Sequence, residues 1–342
     1  MDSINFLGMT HSLPEQFQIA LDNAKVVDVS PLESIEFSSI IVLGMGGSGV
    51  SGDIVAATLA PACKVPVTVS KNYELPAFVG PTTLVIAASY SGTTEETLSA
   101  VKMAQEQNAP MIAVCSGGEL AQIAENSKTP CVRYSAPADM QPRAAMGALV
   151  APIFVALDKL GLFEQGIAEV QAAVKQVTRR RNECKDPNED HIVSELVRRI
   201  STTIPVVYGG GALGAVAANR FKSDFNENAK SPAYWHYYPE LCHNEIVGYG
   251  QHGDVTRQLF TLIELRHDYE HKQVQRRFEI SRELIRETLH DIIEVKAQGE
   301  SRLAQLIDLC YIGSMASVYL AMEAGVDPGP VDIIWELKNA LA

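Results

Sequence analysis

A short order of parts that occurs twice constrains this chain more than any other feature. The β-branched segment SIIVL (39–43) runs into the glycine loop GMGGSG (44–49) and then a helix-compatible stretch at 53–59. Likewise IPVVY (204–208) runs into GGGALG (209–214) and a helix-compatible stretch at 215–222. A β-branched strand, a glycine turn and a helix start together open a βα unit of a parallel sheet. Its recurrence about 160 residues later predicts a duplicated α/β domain.

The intervening sequence keeps the alternation. Strands are predicted at 65–70, 83–89, 110–115 and 129–134, and helices at 94–107 and 119–126. That is the pattern of a doubly wound sheet with helices on both faces. A long apolar helix follows at 143–160, and the charged stretch 175–190 has the composition of a solvated connection. Beyond it come a strand at 258–266, a helix at 272–289, a strand at 291–297 and an apolar helix at 302–324. Gly325, Pro328 and Pro330 end that helix before a final amphipathic one at 331–341. The chain has 342 residues, which at about 150 per domain predicts two domains. The expected class is α/β, two doubly wound domains, each a mainly parallel sheet flanked by helices. The boundaries fall at 1–160 for the first domain with a leading helix, 161–200 for a helical, charged connection, 201–325 for the second domain and 326–342 for the terminal helix.

A net charge of -13 argues against a broad nucleic-acid interface. The apolar run 144–157 is fourteen residues, short of the roughly 20 that span a bilayer, so no membrane partner is expected. The first residues lack a basic segment and a long apolar stretch. The six cysteines form no CxxC pair, as expected of reduced thiols in a cytoplasm.

Two loops carry the chemical argument. Gly44, Gly46 and Gly49 fit G-x-G-x-x-G, which leaves open a tight backbone turn, an anion cradle or a dinucleotide site. The dinucleotide fingerprint expects a carboxylate about 20 positions on, at the end of the second strand. Lys71 and Asn72 stand there, which only an NADP-dependent oxidoreductase would tolerate. The second loop, SYSGTTEET (89–97), sets four Ser and Thr hydroxyls around Gly92 directly before a helix. Free N–H groups, the positive end of the helix dipole and nearby hydroxyls suit a compact phosphate monoester. The competing reading is N-capping by Thr93 or Thr94, with Glu95 and Glu96 favoured in the first turn. One hydroxyl satisfies a cap, and four exceed it. HDYEH (267–271) matches a zinc-protease pattern, yet it lies between a strand and a basic helix start. A solvated connection, with no metal site, is expected there.

GMGGSGVSGD (44–53) and SYSGTTEET resemble the loops of sugar isomerase (SIS) domains, which bind phosphosugars at the ends of a parallel sheet. QPR (141–143), NENAK (226–230) with PELCHN (239–244), and the terminal helix carrying Lys338 resemble, in that order, the bifunctional phosphoglucose/phosphomannose isomerase family. The resemblance runs from about residue 40 to the end. It implies two SIS domains, a homodimer with shared active sites, and no metal or organic cofactor. The implied reaction interconverts glucose 6-phosphate and fructose 6-phosphate through a cis-enediol, with mannose 6-phosphate as a candidate second aldose. Gly47 and Ser48 would lie in the substrate-binding glycine loop, and Ser89, Ser91 and Thr94 would bind the phosphate. Arg143 would stand at the reacting carbons, Glu227 would be the base, and His243 and Lys338 would serve ring opening. Val331 stands where the family pattern carries a hydroxyl residue, which leaves mannose turnover open. Each residue also has a plain reading. Glu227 could be a solvated helix residue, His243 an exposed loop residue, Lys338 a cation at a helix C-terminus, and Arg143 a turn residue. A non-catalytic sugar-phosphate-binding regulator would need the loops alone.

Overall fold

The computed structural model describes residues 1–135 and 140–341. Two compact units emerge. The first is Ser12–Thr178 with Gly299–Ala304; the second is Met1–His11, Arg179–Gln298 and Gln305–Ala342.

After α1 (Phe6–His11), which belongs to the second unit, the chain builds the first. Its elements are α2 (Leu13–Val26), β1 (Ser39–Leu43), α3 (Gly46–Leu59), β2 (Val67–Ser70), β3 (Thr83–Ser89), α4 (Glu95–Glu106), β4 (Met111–Cys115), α5 (Gly118–Asn126), β5 (Cys131–Arg133) and α6 (Met146–Lys159). The strands are all parallel, in the order β2-β1-β3-β4-β5. β1, β3 and β4 are buried along their whole length, which is why they read as nearly unbroken apolar runs. α6 buries every residue from Met146 to Leu157. Gly147 admits α2 so closely that a Cβ there would lie 2.8 Å from the Phe17 backbone nitrogen. Full burial of Phe17 and Phe154 contributes about 1.5–3 kcal/mol each.

Strand order decides where a ligand can enter. The chain passes from β1 outward to β2 and then back across to β3, so the connections after β1 and β3 diverge. A crevice opens between them at the carboxyl ends of the strands. The glycine loop follows β1 and the hydroxyl loop follows β3, so both sequence motifs open on one crevice.

The second unit is built from the end of α7 (Gly166–Cys184), then α8 (Ile192–Ile200), β6 (Ile204–Gly210), α9 (Gly211–Glu227), β7 (Tyr234–Tyr238), α10 (Gly253–Leu259), β8 (Phe260–Arg266), α11 (Lys272–Ile285), β9 (Asp291–Lys296), α12 (Arg302–Glu323) and α13 (Asp332–Leu341). Its parallel sheet has the order β7-β6-β8-β9. The stretch expected to be a solvated connection is helical as far as Cys184 and partly buried. Arg180 is only 5% exposed and donates from Nε and Nη2 to the two Asp308 oxygens, both at 2.9 Å. β7 goes unforeseen because YWHYY has no alternation; its pairing with β6 makes it a strand. The strand expected from 258 starts at Phe260, since α10 takes the residues before it. α12, 22 residues long, is apolar enough to cross a membrane, but the qualifying stretch is wholly buried, so it acts as a core helix here.

Candidate active site

The crevice of the first unit is lined by two open helix N-termini. No side chain caps α3, which starts in the glycine loop with Gly46 at φ +51, and none caps α4. The capping reading of the hydroxyl loop therefore fails at Thr94, whose Oγ1 bonds to Ser89 Oγ at 3.0 Å instead. The first-turn N–H groups of α4 have no partner within the helix, and the dipole places about half a positive charge there.

The four hydroxyls divide by burial. Ser89 is fully buried and accepts the Gly92 N–H at 3.1 Å, so it shapes the loop. Ser91 is exposed and accepts from Thr93, at 3.3 Å from its N–H and 3.1 Å from its Oγ1. Ser48 ties the two loops together, its Oγ accepting the Tyr90 N–H at 3.2 Å. Behind the loop, Ser116 donates from its backbone and side chain to the Tyr90 carbonyl at 2.8 and 2.7 Å. Gly92, at φ +69, lies so near the next turn that a Cβ would sit 1.8 Å from the Gly117 carbonyl oxygen. Arg143 is buried in the short turn Pro142–Ala144, which rests on the glycine loop. A Cβ on Gly47 would lie 3.2 Å from the Pro142 carbonyl oxygen and 3.4 Å from the Arg143 Cα. Gly47, Ser48, Ser89, Ser91, Thr94 and Arg143 thus gather around one crevice.

Motif reasoning uses Lys71, the residue after β2, only against a dinucleotide site and gives it no role at the glycine loop. Its stem crosses the glycine loop, with Cε 2.9 Å from where a Gly49 Cβ would stand, and its ammonium pairs with Asp53. Burial pushes the Asp53 carboxyl up, and Lys71 pulls it back down. The signal available in the sequence is a cation at the end of the strand beside the glycine loop.

In the second unit, Glu227 is the last residue of α9 and is half-buried. It lines a cavity of about 600 Å³ with Asn226, Lys230, Asp327, Val331 and the first turn of α13. One turn earlier, the wholly buried Asp224 has its carboxyl pushed up by desolvation and drawn down by the adjoining Arg220, 2.8 Å away. His243 is exposed at the end of the short turn Glu240–His243. Lys338 lies 5.4 Å from the Trp335 ring centroid on α13, a helix with no buried residue. Among the described residues, no hydrogen bond or ion pair joins Glu227, His243 and Lys338 to one another.

The equivalent crevice of the second unit, between β6 and β8, is filled. Glu270 is 8% exposed and presses its carboxylate against Gly210, while Oε1 accepts the His267 N–H at 3.0 Å. His267 Nε2 donates to the Gly210 carbonyl at 2.8 Å, and its Nδ1 accepts the Tyr269 N–H at 3.2 Å. HDYEH is the strand-to-helix connection expected, with Asp268, Tyr269 and His271 exposed, but its first His and its Glu are buried at the crevice. His271 Nδ1 instead accepts the Gln273 N–H and caps α11. No cluster of three or more metal-ligating side chains occurs among the described residues.

Residues 35–155 match the SIS domain family, and residues 190–341 match the family described as bacterial phospho-glucose isomerase C-terminal SIS domain. With its two parallel sheets, the chain is a two-domain α/β protein of the SIS class. The same fold is found in tagatose-6-phosphate ketose/aldose isomerase from Escherichia coli, with a TM-score of 0.71 over 94% of this chain and 93% of that one, at 17% identity. The bifunctional phosphoglucose/phosphomannose isomerase of Caldicellulosiruptor bescii is 36% identical over 334 residues, 97% of each chain. Its counterpart from Aquifex aeolicus is 32% identical over 306 residues, 89% of this chain and 91% of that one. The chain belongs to the bifunctional phosphoglucose/phosphomannose isomerase family.

Proposed function

We propose that this protein interconverts glucose 6-phosphate and fructose 6-phosphate, with mannose 6-phosphate as a lesser aldose substrate. One observation carries the reading. The uncapped N-terminus of α4 stands beside the hydroxyls of Ser91, Thr93 and Thr94 at the crevice, in a chain 36% identical over 97% of its length to a phosphoglucose/phosphomannose isomerase. The α4 N–H groups, Ser91 and Thr94 hold the phosphate. Ser48 and Ser89 keep the loops in shape, and Gly47 lets the Pro142–Arg143 turn close against the glycine loop, where the sugar is bound.

His243 exchanges a proton with the ring oxygen, and Lys338 orients the ring hydroxyl, which yields the open-chain aldose. The Glu227 carboxylate takes the C2 proton. The C–H electron pair becomes the C1–C2 double bond, and the C1 oxygen takes up the charge as the cis-enediol forms. Arg143, charged at every working pH, stabilises that oxygen. The C2 hydroxyl proton passes to the C1 oxygen, and the C2 oxygen pair re-forms a carbonyl. The double-bond pair takes the proton back from Glu227 at C1, which leaves the ketone with a C1 hydroxyl. Positioned acid–base groups of this kind supply about 10²- to 10⁴-fold each.

In this reading the segment 326–342 completes the site, a homodimer shares its sites between subunits, and no metal or organic cofactor takes part. The reaction and the free thiols support a cytoplasmic location. Val331, on the wall of the Glu227 cavity, offers no hydroxyl to either C2 epimer, which ranks glucose 6-phosphate first. The test is an assay from fructose 6-phosphate that reads the two aldose phosphates separately, with and without EDTA. Glucose 6-phosphate should form at a rate EDTA leaves unchanged. Binding of fructose 6-phosphate without turnover to either aldose would overturn the proposal in favour of a sugar-phosphate-binding regulator.

A further inference from the structure

Lys230 has no part in the reaction above, yet it lines the same cavity as Glu227. It lies in the turn that ends α9, with a left-handed backbone at φ +54, a conformation that residues other than glycine rarely adopt. From that turn its ammonium donates to the Asp327 carbonyl at 2.7 Å and to the Asn228 carbonyl at 3.3 Å. Asp327 is anchored in turn. Its carboxylate accepts the Ser3 N–H at 3.2 Å and the Gly329 N–H at 3.0 Å. Ile4 covers Gly329, with Cγ1 2.4 Å from where a Cβ would stand.

The segment 326–331 is therefore fastened to the end of α9 and to the N-terminal residues. It joins α12, a core helix, to α13, which buries no residue. Packing of α13 itself cannot fix its direction, so the fastened segment must do so. We propose that Lys230 is a positioning residue, whose bond to the Asp327 carbonyl clamps the hinge 326–331 against the end of α9 and holds Val331 and the first turn of α13 at the Glu227 cavity. The inference rests on the reading of Glu227 as the base and deepens it.

The test compares wild type with Lys230→Met, which keeps the stem and removes the donor, and Lys230→Arg, which restores one. Two readouts are used: the assay from fructose 6-phosphate, and amide hydrogen exchange of peptides spanning 326–341. Lys230→Met should lose at least about tenfold in kcat, since misplacement by about 1 Å can cost 10²-fold. Its melting temperature should stay at the wild-type value, and exchange over 326–341 should speed up. Lys230→Arg should recover both. Unchanged exchange in Lys230→Met overturns the clamp, and a raised KM alongside it would assign Lys230 a direct substrate contact. Faster exchange with wild-type kcat overturns the positioning role. If wild type turns over no sugar phosphate, the isomerase reading fails by itself, and the exchange measurement still decides the clamp.

Discussion

Gly92 offers a sharp test of whether the hydroxyl loop is held rigidly. In Gly92→Ala, an L-residue at φ +69 costs about 1–2 kcal/mol. The new Cβ would also lie 1.8 Å from the Gly117 carbonyl oxygen and 2.8 Å from its carbon, so one backbone segment must move. Overpacking of this kind adds about 1–3 kcal/mol. Gly161→Ala is the matched control, at φ +67 with nothing within 4 Å of the added methyl, and it carries the conformational part alone. The difference between the variants, about 1–3 kcal/mol, isolates the overlap. At about 2–4 °C per kcal/mol for a unit of this size, Gly92→Ala should melt about 2–12 °C below Gly161→Ala by circular dichroism. The displaced loop would also move Ser91 and Thr94 away from the α4 N–H groups. The KM for fructose 6-phosphate should rise at least about tenfold, equivalent to about 1.4 kcal/mol, and remain normal in Gly161→Ala. Coincident melting of the two variants, or a normal KM in Gly92→Ala, would refute the reasoning.

Glu227→Gln keeps the shape of the carboxylate but cannot take the C2 proton; kcat should fall at least about 10²-fold with KM little changed. Near-normal turnover would move the base assignment to Glu240. Subunits of Glu227→Gln and His243→Ala, each inactive alone, should regain at most about a quarter of wild-type site activity once exchanged. No recovery after proven exchange would put both groups in one subunit. Arg180→Met leaves Asp308 buried without its guanidinium partner, at a cost of about 3–5 kcal/mol in urea unfolding. Adding Asp308→Leu should restore most of that loss, and a single variant of wild-type stability would contradict it. The Asp327 carboxyl is held below the ordinary carboxylate range, chiefly by the Ser3 bond. Its stabilisation is present above about pH 4 and disappears as pH falls through the lowered folded value, so Asp327→Asn should flatten the acid limb of the melting curve. Parallel acid limbs would count against it.

Local chemistry made the strand–glycine-loop–helix units legible, because β1 and β3 are continuous apolar runs broken by glycine and hydroxyl clusters. Strand order was not legible, although it is what brings the loops after β1 and β3 to one crevice. The four hydroxyls of 89–94 look alike in sequence; burial alone separates Ser89, turned inward to Gly92, from the exposed Ser91. Arg180 reads as a surface charge because its partner, Asp308, is 128 positions away. β7 owes its conformation to β6, and α10 displaces the start of β8, both tertiary effects that a residue-by-residue period cannot register. Lys230 closes the NENAK stretch without a role read from it, and its importance lies in a carbonyl acceptor 97 positions away.

The plug formed by Glu270 gives the two halves of the molecule different fates. The Glu270 carboxylate is seated against Gly210, accepts the His267 N–H and pairs with Arg266 at 2.8 Å, so it is a tethered group present at an effective concentration no free solute reaches. Of two crevices with the same strand topology, one has buried side chains of its own chain, His267 and Glu270, packed at its glycine turn. Under the proposed function, the expected stoichiometry of phosphate ester is one per polypeptide, at the crevice of the first unit.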